Sequence, residues 1–175
     1  MALPVVRTRD EAHLYLDLHP CEHCDSIDVT WEQAVVSVDG ELASEYAGQC
    51  PGCGAERDYV FALPERETLS PEWPNFGGPE PSQLLDAGEW LWVAELSAGN
   101  APPGDPARER QALAIATRAV AEVVKFIPAG EEVVPDTAFW SARGRELRDA
   151  EPGRFNRGRL LVVQETYDRL AGQVR

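Results

Sequence analysis

Apolar residues recur along the chain with two different periods. Between Thr8 and Leu18 the spacing is helical: Leu14 and Leu18 are four apart with Tyr15 beside them, and Thr8 followed by Glu11 makes a capping box. A short helix is predicted there, stopped by Pro20. From Ile27 the period is two. Ile27, Val29 and Trp31 alternate with polar neighbours, Val36 and Val38 continue the pattern, and Leu42, Ser44 and Tyr46 resume it after Asp39-Gly40. Such alternation marks strands with one covered face, and Asp-Gly between two of them predicts a two-residue hairpin turn. Tyr59, Phe61 and Leu63 form a third alternating run that ends at Pro64.

Beyond Pro81 the period is helical throughout. Ser82 to Ala87 leads into Glu89 to Ala98, where Trp90, Leu91, Val93, Ala94 and Leu96 are apolar on nearly every side, the pattern of a buried helix. Asp105-Pro106 opens a long helix whose stripe is Leu113, Ala116, Val120, Val123 and Ile127. A short helix is predicted around Thr137–Asp149, and a last one after Pro152 is expected to bury Leu160, Val163, Tyr167, Leu170 and Val174. The intervening LPERETLSPEWPNFGGPEP is too rich in proline and glycine for regular structure and too aromatic for a free linker, so Trp73 and Phe76 are expected to be pinned on an apolar surface. The predicted class is α+β: residues 1–66 form a helix and a three-stranded antiparallel sheet, 67–80 a connector, and 81–175 a bundle of about four helices.

With 175 residues, 43% of them hydrophobic, the chain has enough apolar material for a core. No segment approaches the ~20 consecutive apolar residues of a membrane helix, and MALPVVRTRDEAH lacks the layout of a signal peptide, which predicts a cytoplasmic protein. In a reducing compartment four cysteines in two pairs are read as metal ligands before disulfides.

The pairs are Cys21-Glu-His-Cys24 and Cys50-Pro-Gly-Cys53-Gly54, separated by 25 residues that read as a hairpin. Two residues between cysteines let the backbone fold into a knuckle aiming both sulfurs at one ion, and a tetrahedral thiolate shell at ~2.3 Å suits Zn²⁺. This pattern resembles the zinc-ribbon family over about residues 20–64. The resemblance implies one structural Zn²⁺ held by Cys21, Cys24, Cys50 and Cys53. The second knuckle is the stronger match, since Gly54 takes the positive φ the turn wants; the first carries Asp25 there, a residue that tolerates that conformation. Iron in the same ligands, a redox dithiol and free core thiols are the alternatives. Neither pair opens a helix beside a βαβ unit, as a redox pair requires. His23, inside the first knuckle, is read as a residue of the solvent or of the shell around the sulfurs.

The net charge of −14 is unevenly spread: residues 1–66 hold 4 Lys/Arg against 13 Asp/Glu, 67–100 none against 6, and 101–175 12 against 11. The hairpin from Asp28 to Glu45 has no basic residue, which argues against phosphate tracking by the ribbon and makes nucleic acid an unexpected partner. The one basic concentration holds Arg143, Arg145, Arg148, Arg154, Arg157 and Arg159, with Trp140 and Phe155 nearby. It either pairs with neighbouring acids or, in the alternative reading, makes the protein a nucleic-acid-binding regulator acting through 143–159. No glycine-rich phosphate loop, nucleophile elbow or paired-histidine metal motif occurs, and His13, His19 and His23 all precede residue 24. An enzyme, with a site formed between the two modules, is the least favoured expectation. The leading one is a non-enzymatic interaction module, similar in general character to bacterial immunity proteins, whose acidic surface takes a basic protein partner such as a toxin.

Overall fold

In a computed structural model of the chain, which describes residues 2–175, helix α1 (Arg9–Leu18) precedes three strands, β1 (Glu32–Val38), β2 (Glu41–Gln49) and β3 (Glu56–Ala62). Four helices follow: α2 (Ala87–Gly99), α3 (Pro106–Lys125), α4 (Ala142–Ala150) and α5 (Arg157–Gln173). The architecture is α+β, and the chain divides into two compact units between Leu69 and Ser70.

In the first unit Thr8 caps α1 by accepting from the Glu11 N–H at 3.1 Å. The Glu11 carboxylate, fully buried, turns back and accepts from the Arg7 backbone N–H (2.8 Å), Nε (3.0 Å) and Nη2 (2.6 Å). A buried charge so completely paired is costly to break from either side. The sheet is antiparallel in the order β1-β2-β3. Asp39 and Gly40 have φ of 53° and 88°, and Val38 pairs with Glu41 across them, so the hairpin turn is of the type both residues favour. Tyr46, Tyr59 and Phe61 share one face, and α1 lies on it through Tyr15, whose ring is 5.5 Å from Phe61 and 5.8 Å from Tyr59.

Three sequence expectations in this unit change. Ile27, Val29 and Trp31 lie outside the sheet, which begins at Glu32. The segment instead packs over Gly48 of β2, where a Cβ would stand 2.6 Å from Val29 Cγ1 and 2.7 Å from the Thr30 carbonyl oxygen. Their alternation reflects packing against a strand rather than membership of one. Leu42 is on the α1 side of the sheet but remains 64% exposed, and Leu63 falls just past β3.

In the second unit α2 is buried almost all round, through Ala87, Trp90, Leu91, Val93 and Ala94, as a helix apolar on every side must be. Phe76 from the proline-rich stretch packs against Trp90 with ring centroids 4.9 Å apart and planes tilted by 53°, whereas Trp73, expected to be pinned, is 53% exposed. Ser82 to Asp86 are not helical. Ser82 Oγ accepts from the N–H groups of Leu84 and Leu85, and helix α2 starts only after Asp86, whose carboxylate caps Glu89 N while the Glu89 side chain accepts from Asp86 N. Asp105 caps α3 with proline in its first turn, as the sequence predicts. Helix α5 packs on α3 along one side only, so Leu160 is buried, Val163 and Tyr167 are half-buried, and Leu170 stands exposed.

Candidate metal centre

Each cysteine pair folds into the same turn. In the first, the Asp25 N–H donates to the Cys21 carbonyl (2.8 Å) and the Cys21 N–H to the Ser26 carbonyl (2.9 Å). In the second, Gly54 donates to Cys50 (2.8 Å) and Cys50 to Ala55 (2.8 Å). The residue after the second cysteine closes both turns in the left-handed region, with φ of 56° at Asp25 and 76° at Gly54. The aspartate therefore adopts the conformation that glycine adopts in its counterpart, at a steric cost that glycine does not bear.

The β1–β2 hairpin carries one knuckle to the other, and β3 leads away from the second. All four Sγ atoms lie within 4.8 Å of one another, with Cys21 to Cys53 at 3.6 Å and Cys24 to Cys50 at 3.4 Å. These separations are far beyond a disulfide bond of about 2.05 Å and surround the edge of about 3.8 Å that a tetrahedron of ~2.3 Å bonds requires. Cys21 and Cys50 are buried, Cys24 and Cys53 exposed. Gly52 makes the approach possible, since a Cβ there would be 2.9 Å from Cys24 Sγ.

The knuckle backbone also prepares a thiolate. The Cys53 N–H donates to the Cys50 sulfur and outweighs the effect of burial, and with further help from the Cys24 thiol and the Gly52 N–H it lowers the Cys50 pKa to about 6. At Cys24 the Ser26 N–H acts in the same direction, but the neighbouring Cys50 thiol, burial, Cys53 and Cys21 together push the thiol up to about 12. Cys53 is likewise raised: the Ala55 N–H is overcome by Cys21, burial and Cys50. Four sulfurs so close cannot all ionise without a cation among them. A cation would favour all four thiolates at once through its charge. The four cysteines are thus arranged to bind a metal ion, and they form the one such grouping among the described residues.

The other residues singled out from the sequence do not join the site. His23 is exposed. His13 meets the Tyr46 ring edge at 5.7 Å, and His19 stacks on Tyr15 at 3.9 Å with its Nδ1 2.7 Å from the Tyr15 carbonyl oxygen, so both are packing residues. The arginines of 143–159 are engaged inside their own unit. Arg143 lies 3.9 Å above the Trp92 ring, Arg145 donates to the Trp140 carbonyl, and Arg148 pairs with Asp136 and Asp149. Arg154 pairs with Glu95 and Glu151, Arg157 donates to the Glu131 carbonyl, and Arg159 pairs with Glu151.

Two arrangements went unnoticed in the sequence. Arg57 braces the metal site from β3: its Nη2 donates to the His19 carbonyl and, at 2.9 Å, to the Tyr59 hydroxyl, and its guanidinium lies 5.2 Å from the Trp31 ring. Beside Cys21 it borders an open cavity of about 290 Å³ with Glu22, His23, Glu56, Asp58 and Tyr59. Arg57, the one lysine or arginine between Arg9 and Arg66, is the available signal. In the second unit, Asp86 accepts from Glu89 N at 2.9 Å and from Ser141 N at 2.6 Å, so one buried carboxylate joins the starts of α2 and α4. No family model matches the chain, and no curated protein or solved structure matches it.

Proposed function

We propose that the chain is a non-enzymatic interaction module whose first unit is a zinc ribbon stapled by one structural Zn²⁺. The observation that carries the reading is the set of four sulfurs within 4.8 Å, contributed by two matched knuckles. Four thiolates complete a tetrahedral zinc shell and leave no position for a reacting water, which makes the metal a fold-holding ion. The reading of partner follows from charge. Residues 1–66 carry 13 acidic against 4 basic side chains, a surface that attracts and orients a basic protein, in a role of the immunity-protein type. The engagement of the 143–159 arginines with neighbouring acids, carbonyls and a ring supports a protein partner over a nucleic acid. Capture of tagged full-length protein from native lysate tests this. A basic protein that is retained at low salt and released as salt rises is the expected result. Recovery of nucleic acid, or of no protein at all, contradicts it.

A further inference from the structure

The two edges of the sheet are treated differently. At β3 the N-terminal segment closes the end of the edge: Val6 N donates to the Ala62 carbonyl and Ala62 N to the Pro4 carbonyl, both at 3.0 Å. Among the described residues, strand β1 has no such cover. Its seven residues pair with β2 in unbroken register, so no bulge turns the edge away. It contains no lysine and no proline, and its single charge, Glu32, is at its start, leaving Gln33 to Val38 uncharged. Edge strands ordinarily carry one of these guards against pairing with another chain.

The hairpin geometry identifies the open groups. A two-residue turn makes Val38 and Glu41 a hydrogen-bonded pair, and such pairs alternate along an antiparallel ladder. Ala34, Val36 and Val38 therefore direct their backbone groups to β2, and Gln33, Val35 and Ser37 direct theirs outward. Among the described residues, no backbone hydrogen bond beyond the strand ladder engages those three. Val35 is 63% exposed, and Leu42, its diagonal neighbour across the ladder, is 64% exposed, so an apolar step borders the open edge.

We propose that β1 is a docking edge that accepts an extended basic segment of a partner protein as a fourth antiparallel strand. The backbone groups of Gln33, Val35 and Ser37 pair with it, and Val35 and Leu42 receive its apolar side chains. Charge decides the occupant. Glu32 opens the strand, Asp39 is in its turn, Glu41 and Glu45 stand opposite Val38 and Ala34, and no basic residue occurs from Asp28 to Glu45, so a second copy brings like charge, whereas a strand alternating lysine with valine or threonine brings the opposite charge. This rests on the interaction reading above and names its surface.

The test uses the zinc-loaded full chain and a capped nine-residue peptide alternating lysine with valine and threonine, followed by calorimetry and amide exchange. Binding with new protection of the Gln33, Val35 and Ser37 amides is expected. Val35→Pro removes one outward N–H and leaves the β1–β2 ladder intact, so it should retain its zinc and bind the peptide about tenfold or more weakly. Val35→Lys, which keeps the backbone and opposes the ligand's charge, should weaken it as well and stands in if the proline variant misfolds. Absence of peptide binding, protection elsewhere, undiminished binding by these variants, or self-association through β1 overturns the proposal. Capture of the same basic lysate protein by Val35→Lys and by the unaltered chain sinks the edge alone; capture by neither sinks the interaction reading itself.

Discussion

Residues up to Leu69 place one ten-residue helix over a three-stranded sheet, and their large fully buried side chains are few: Leu16, Tyr46, the Arg7-paired Glu11, and the cysteines 21 and 50. From Ser70 onward the chain buries Trp90, Phe155, Leu85, Leu160, Val120 and Val123 among packed helices. A unit of fewer than 70 residues buries a smaller share of its surface than a larger one does, and part of this one's sheet faces water at Val35 and Leu42. The second unit closes its core with apolar packing and a shared helix cap. On the function proposed above, the first depends on a metal cross-link between its two turns. Removing one contact should therefore have local consequences in the helical unit and global ones in the sheet unit.

The largest effect belongs to the cluster. Cys50→Ala removes a buried cysteine of the cluster, and because metal binding in such sites is worth ~10–16 kcal/mol against a whole-domain stability of ~5–15 kcal/mol, the first unit should lose its fold. Amide exchange would show β1–β3 unprotected and α2–α5 protected; a protected sheet in this variant removes the contrast.

Next is the contact between α2 and α4. A Cβ on Gly144 would be 2.3 Å from both Asp86 carboxylate oxygens, and one on Gly88 would be 2.4 Å from the Gly144 Cα. Gly144→Ala should cost the second unit about 3 kcal/mol, through overpacking and a disturbed buried carboxylate, with metal content unchanged. Denaturant unfolding followed by helix signal measures it, and an unshifted midpoint refutes the account of that junction.

A smaller effect depends on pH. Burial raises the Glu89 pKa above its ordinary 4.5, against the pull of the Asp86 N–H and of Arg143. The stabilising contribution of its protonated form is complete below the ordinary value and is lost as pH rises through the folded-state value. Glu89→Gln keeps an acceptor for Asp86 N and cannot ionise, so its stability relative to the unaltered protein should rise as the pH climbs above about 4.5. A pH-independent difference between the two proteins contradicts this.

The smallest expected change is a gain. Asp25 closes its knuckle at φ 56°, where Gly54 serves in the other, and Asp25→Gly should relieve up to about 1 kcal/mol of backbone strain, offset in part by added freedom of the unfolded chain. A competition assay with a zinc chelator should find affinity equal or slightly higher; a marked loss means that the aspartate side chain itself supports the site.

Local signals were the readable ones. Asp39-Gly40, the two C-x-x-C turns with their following residues, Thr8 and Asp105 all act within four residues of themselves, and each takes the role its type and position imply. The metal-binding arrangement was legible because the hairpin between the cysteine pairs was. What escaped notice depends on partners distant in sequence. Val29 and Thr30 alternate like strand residues but are received by Gly48, and Asp86 finds its second donor at Ser141, 55 residues away. The stripe on α5 is correctly periodic, yet periodicity does not say how much of it a neighbour covers.

The most direct test of the central claim is elemental analysis of full-length protein folded with zinc and ferrous iron both available, coupled to thiol alkylation and amide exchange before and after chelation. One zinc per chain, four thiols shielded until the chelator acts, and sheet protection lost with the metal while the helical unit stays protected are the expected results. A metal-free chain with a protected sheet, or iron retained in place of zinc, would contradict the claim.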